Sequence, residues 1–142
     1  MWTLIALALL GAALSGCSEP PAKTQIRNAI QAMVKAVEDK DRPAFAEHVS
    51  PEFEGGNGMN RRALAQMMLF EFRRNQRVGV YVVDTTIKVD GAWADVVLHV
   101  ALTGGGQWLP ERARYYRINT RWHRHEGSWR VRRARWKAVG AP

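Results

Sequence analysis

The chain has 142 residues, of which 46% are hydrophobic and 24% charged. That balance excludes a disordered or fibrous chain and fits one domain with a modest core. A single cysteine, Cys17, excludes an intrachain disulfide, so packing must hold the fold.

The net charge of +8 is unevenly placed. Residues 1–104 carry 11 Lys/Arg and 11 Asp/Glu, whereas residues 105–142 carry 10 Lys/Arg against only Glu111 and Glu126. An asymmetry of this size points either to a solvated basic face or to an anionic partner. The candidate partners are phospholipid headgroups, an envelope polymer or nucleic acid.

Met1 to Cys17 contains an apolar run from Leu4 to Leu14, then small residues, then the cysteine. The run is shorter than the ~20 residues a spanning helix needs, and it matches the apolar region of a secretory signal. Leu14-Ser15-Gly16-Cys17 resembles the lipobox of bacterial lipoproteins, although the residues before the apolar run include no Lys or Arg. The resemblance implies a signal peptide over 1–16, acylation of Cys17 (diacylglycerol and palmitate) and a lipidated linker over 17–23. Ser18 in place of Asp implies, by the same resemblance, the outer membrane facing the periplasm rather than the inner membrane. Several acyl chains anchor a protein stably without a transmembrane helix.

Pro20 and Pro21 keep the linker from being helical. Thr24 is the expected cap of a first helix running to about Asp39. Its apolar stripe is Ile26, Ile30, Val34 and Val37, with Ala29 and Met33 alongside. Asp41 and Pro43 start a short second helix carrying Phe45 and Val49 inward. Glu52 to Gly58 reads as an irregular stretch anchored by Phe53. Asn60 caps a third helix to about Arg74, with Leu64, Met67, Met68 and Phe72 near one side.

From Val78 the apolar period becomes two. Strands over 78–89 and 93–102 flank an expected Asp90-Gly91 turn. That turn would set Ile87 opposite Ala94, Thr85 opposite Val96, Val83 opposite Leu98 and Tyr81 opposite Val100, with Tyr81 inward. Gly104 to Arg112 reads as a flexible connection bearing Trp108 and Pro110. The last two strands lie within 113–137 and turn at Glu126-Gly127, which pairs Trp122 with Val131. Unbroken pairing would bury Arg133 and Arg135, at several kcal/mol for each unpaired guanidinium. A bulge at Arg132-Arg133 removes that cost and returns Ala134 and Trp136 to the core face.

The helix Ile26–Val37, Asp41-Arg42-Pro43-Ala44-Phe45, Ser50-Pro51-Glu52-Phe53, Ile87-Lys88-Val89-Asp90-Gly91, Ala94-Asp95-Val96 and Trp129-Arg130-Val131 through Trp136 together resemble the NTF2-like superfamily, which includes the SnoaL-like and ketosteroid-isomerase-like proteins. The resemblance covers nearly all of residues 22–137. It implies an α+β cone over 24–139: three N-terminal helices on a curved antiparallel sheet of about four long strands. It also implies homodimerisation through the outer sheet face, which would suit Val82, Val97 and Ala101. The fold hosts enzymes, carriers and interaction modules alike, so function must be read from the site.

Isomerase-like members use a tyrosine on the first helix, and here that helix has none. Dehydratase-like members use a buried His–Asp pair. Asp84 and His99 are expected to face outward as a surface ion pair. Tyr81, Tyr116, Thr120 and Trp122 are the candidate pocket residues. Arg117, Arg121, Arg130 and Arg135 are the candidate contacts for an anionic partner. Arg121 and Arg130 beside His123 and His125 would repel a cation, so neither a metal nor a cofactor is expected. An extracytoplasmic address also speaks against nucleic acid. The expectation is therefore a membrane-tethered, non-catalytic binding or accessory domain. The alternative is a small-molecule enzyme or carrier with an apolar pocket in the cone.

Overall fold

The computed structural model describes residues 18–105 and 112–140. The signal segment, Cys17 and the Trp108-Pro110 connection lie outside these residues. Two long helices and one single-turn helix pack on a five-stranded sheet: α1 (Ala22–Glu38), α2 (Arg42–Ala46), β1 (Val49–Glu54), α3 (Arg61–Arg74), β2 (Arg77–Asp90), β3 (Trp93–Gly105), β4 (Arg112–His125) and β5 (Ser128–Val139). The strand order is β1-β5-β4-β3-β2, antiparallel except for the short β1, which runs parallel to β5. No helix among the described residues is long and apolar enough to cross a membrane.

The first helix starts two residues before Thr24, with Pro21 at the N-cap and no side-chain cap. Ile26, Ala29, Ile30 and Ala36 are its buried side. It ends in a Schellman pattern: Lys40 N–H donates to the Val37 carbonyl and Asp41 N–H to the Ala36 carbonyl. Lys40 takes the left-handed conformation there, with φ of 56°. A lysine in that region is strained, but its ammonium group donates to the Phe72 and Asn75 carbonyls at the far end of α3. The ends of α1 and α3 are thereby tied together.

Asp41 caps α2 by accepting from Ala44 N–H at 3.0 Å, and Asn60 caps α3 by accepting from Ala63 N–H at 2.9 Å. Both caps match the sequence reading, and each contributes about 1 kcal/mol. The second helix is a single turn, so three comparable helices are not what the chain builds. Val49 opens β1 instead of closing α2, and half of the stretch expected to be irregular is strand. Pro51 is tolerated because β1 is an edge. On α3 only Met68 and Phe72 are buried, and Met67 is exposed.

The core is one cluster between α1 and the concave face of the sheet. Val49, Phe53, Ile87, Val96, Leu98, Trp122, Trp129 and Val131 meet Ile26 and Ile30 there.

Two hairpins set the sheet. Glu126 and Gly127 both have positive φ, 51° and 78°, as a two-residue type I′ turn requires. Trp122 pairs with Val131 as expected. Arg132 is the extra residue, since Arg121 pairs with Arg133 beyond it. The inferred bulge is therefore present, and Ala134 returns to the core opposite Thr120. Trp136 also returns to the concave side, opposite Ile118, but stays 37% exposed and does not close the core.

The other hairpin departs from the expected register. Asp90 pairs with Trp93, so the turn is Gly91-Ala92, with Gly91 at φ of 58°. The shift is two residues, so Ile87 keeps its face and meets Val96 instead of Ala94. A second bulge at Val83 then changes the parity: Asp84 pairs with His99, but Val82 pairs with Val100 and Tyr81 with Ala101. Val82 is placed on the concave side. Tyr81 turns to the outer face and is 62% exposed.

Candidate functional site: the outer face of the sheet

Inside the cone, polar groups are few and mostly engaged with one another. Trp122 is 1% exposed, and its indole Nε1 donates to Thr120 Oγ1 at 2.8 Å. Thr120 Oγ1 in turn donates to the Val96 carbonyl at 2.9 Å. The hydroxyl's single proton is thus committed to the backbone, and one of its lone pairs to the indole. Tyr116 is half-buried on the same face, and Tyr81 is not on it. Three of the four pocket candidates share the concave face, and two of those three bond each other. Trp129 Nε1 is buried without a protein acceptor among the described residues.

The outer face is organised in rows across β2, β3, β4 and β5. One row is Lys88, Asp95, Arg121 and Arg133; the next is Thr86, Val97, Asn119 and Arg135; the third is Asp84, His99, Arg117 and Lys137. The carboxylates of these rows therefore stand on β2 and β3, beside Lys88, and the other cations on β4 and β5. Neighbouring strands are about 4.8 Å apart, so directly opposed side chains feel each other strongly. Asp95 takes Arg121 at 3.1 Å, and Arg121 also lies over the Trp93 ring at 4.8 Å. Arg133 reaches Glu54 of β1 at 3.4 Å. Asp84 and His99 are 3.9 Å apart and solvated, as expected for a surface pair. A hollow of about 180 Å³ beside them is walled by Val83, Tyr115 and Val139.

Arg117, Arg130, Arg135 and Lys137 have no carboxylate within ion-pair distance among the described residues. Arg117 and Lys137 are directly paired across β4 and β5, a like-charge opposition that costs stability when no anion sits between them. Of the four arginines singled out from sequence, Arg121 is thus occupied by Asp95, and the other three pair with no described carboxylate. Lys137 joins them through its register with Arg117.

An aromatic cluster adjoins this face at the hairpin ends. The Trp93 and His123 rings are 4.3 Å apart, and His123 stacks on His125 at 6.4 Å. Sequence alone does not bring Trp93 to His123, because they sit on different hairpins and meet only through the β3–β4 register. Among the described residues, no three His, Cys, Asp or Glu side chains converge as metal ligands.

His48, at the entry to β1, is held below the ordinary imidazole value of 6.5. Burial is the main cause; Glu47 opposes it, and the Arg130 guanidinium adds to it. The unfolded chain therefore takes up this proton first as pH falls. The stability linked to neutral His48 is complete above pH 6.5 and is lost as pH falls from 6.5 through the lower folded value. Melting temperature followed from about pH 7.5 to pH 5 should fall less steeply in His48→Gln than in the parent chain. Equal slopes would rule out this coupling.

Comparison with solved structures gives the fold a name. An NTF2-like protein of unknown function from Pseudomonas putida superposes with a TM-score of 0.72 at 17% identity, covering 84% of this chain and 88% of that one. A protein with a cystatin-like fold from Caulobacter vibrioides gives 0.70 at 17% identity, with 83% and 89% covered. A protein of the NTF2-like family from Streptomyces avermitilis, provisionally assigned as a dehydratase, gives 0.74 at 14% identity, with 84% and 97% covered. The chain has the NTF2-like α+β fold, with a curved sheet of five strands. No family profile matches the sequence, and no curated protein matches it.

Proposed function

We propose that this chain is a non-catalytic accessory domain, tethered to the envelope through acylated Cys17, whose outer sheet face engages an anionic surface. The observation that carries the reading is the directly opposed pair Arg117 and Lys137, with Arg135 in the adjoining row and Arg130 farther along β5 opposite His123, and with no described carboxylate paired to any of them. Acylation at Cys17 would hold this face near phospholipid headgroups, where each cation adds about 1 kcal/mol of attraction. A dehydratase reading, by analogy with the Streptomyces protein, would want a His–acid pair inside the cone. Here Asp84 and His99 stand outside it.

Co-sedimentation of residues 18–142 with phosphatidylglycerol vesicles tests the proposal. Replacing Arg117, Arg130, Arg135 and Lys137 together by glutamine should remove about 4 kcal/mol, close to a thousandfold in affinity. Binding of the parent domain should also fall steeply with salt. Salt-insensitive binding, or equal binding by the substituted domain, would defeat the proposal. A homodimer through the same face, tested by gel filtration, would compete with vesicles for these side chains.

A further inference from the structure

A second cationic site lies on the helical side of the molecule. α2, β1 and the start of α3 enclose a groove of about 400 Å³, within the range of small-molecule sites. Its apolar wall includes Phe45, Leu64 and Met68, and Arg42, Arg61 and Arg62 also line it. None of the lining residues is acidic, and none of the three guanidiniums pairs with a described carboxylate.

Local chemistry does not explain these arginines. Arg61 and Arg62 occupy the first two positions of α3, whose first turn has no acidic residue. Cations there oppose the helix dipole. Arg61 is also held in place: Nη2 donates to the Ala46 carbonyl at 2.8 Å, while Nε is shut off from solvent with no acceptor. Breaks of local rules of this kind are expected at functional or strained sites. An anion bearing an apolar body would answer both features at once. Its charge would meet the three guanidiniums, and its body would lie on Phe45, Leu64 and the adaptable Met68.

We infer that the α2–β1–α3 groove binds a small anionic amphiphile, with Arg42, Arg61 and Arg62 holding its anionic group. This site is separate from the outer sheet face and does not depend on the function proposed for that face. Calorimetric titration of the full chain with decanoate, kept below its micellar concentration, is the test. Decanol supplies the apolar body alone, and inorganic phosphate the anion alone. Decanoate should bind at least tenfold more tightly than either. The double variant Arg42→Glu/Arg62→Glu, at two exposed positions, should lose at least tenfold in decanoate affinity with a melting temperature no lower than the parent's. Any affinity of the apolar segment 4–14 is common to both chains and cancels in that comparison. Ala65→Trp, which fills the groove without touching charge, should weaken decanoate equally. Decanol binding as tightly as decanoate would overturn the inference, as would phosphate binding as tightly. So would a double variant that keeps the parent affinity.

Discussion

Deletion of Arg132 is expected to leave a cooperative fold, and Arg132→Ala is expected to cost no more than about 1 kcal/mol. The two changes remove the same side chain, but only the deletion removes the bulge. Arg132 is the unmatched residue between the pairs Trp122–Val131 and Arg121–Arg133. Without it, Val131, Arg133 and Ala134 alternate regularly opposite Trp122, Arg121 and Thr120, so every later residue of β5 keeps its face. Ala134 and Trp136 would stay on the concave side, and Arg133 and Arg135 outside it. Substitution to alanine loses an ion pair with Glu52 at 3.3 Å and a bond to the Glu52 carbonyl. The Glu52 carboxylate is 76% exposed, so this pair contributes little. Urea titration followed by circular dichroism checks both variants. Loss of the cooperative transition in the deletion would mean that β5 needs the bulge itself and not only the alternation of its faces.

Trp122→Ala should cost about 3–5 kcal/mol, the range for emptying a large buried aromatic site. Trp122 is 1% exposed and lies in the cluster that includes Ile26, Val96 and Val131. Those neighbours belong to α1, β3 and β5, which are hydrogen-bonded or packed into one sheet and helix and cannot collapse onto the void freely. The indole bond to Thr120 adds to the loss, although Thr120 keeps its bond to the Val96 carbonyl. Trp122→Phe retains most of the volume and should lose far less, with about 1 kcal/mol from the missing hydrogen bond. Equilibrium unfolding in urea measures both. A loss under 1 kcal/mol for the alanine variant would show that the cone is open at this point and could admit a ligand.

These two sites were legible to different degrees. The bulge in β5 can be read from residues 129–136 alone, because Arg133 and Arg135 have no affordable place on a core face. The bulge in β2 could not be read, because the segment Val80-Tyr81-Val82-Val83 is apolar in both parities. Either register satisfies its pattern, so Tyr81 was assigned inward on spacing alone, and the structure turns it outward. β1 was missed for another reason. It is six residues long, contains Pro51, and pairs with a strand that lies far away in sequence. A short parallel edge strand has no local signature; its ladder with β5, the Val131 N–H bond to the His48 carbonyl and the Arg132 and Arg133 side chains tie it there. The Arg42, Arg61 and Arg62 groove was likewise invisible, since helix caps separate its parts in sequence.

By itself the sequence determined the two long helices and the four long strands, the α+β class, both helix caps at Asp41 and Asn60, the Glu126-Gly127 turn and the outward fate of the β5 arginines. These follow from local periodicity, capping chemistry and the cost of burying charge, which need no knowledge of distant partners. The tertiary structure decided which cations stay free. Arg121 and Arg133 found Asp95 and Glu54 on neighbouring strands, while Arg117 was set against Lys137. Pairing of that kind depends on strand order and register, and those arise only when the whole sheet closes over one core.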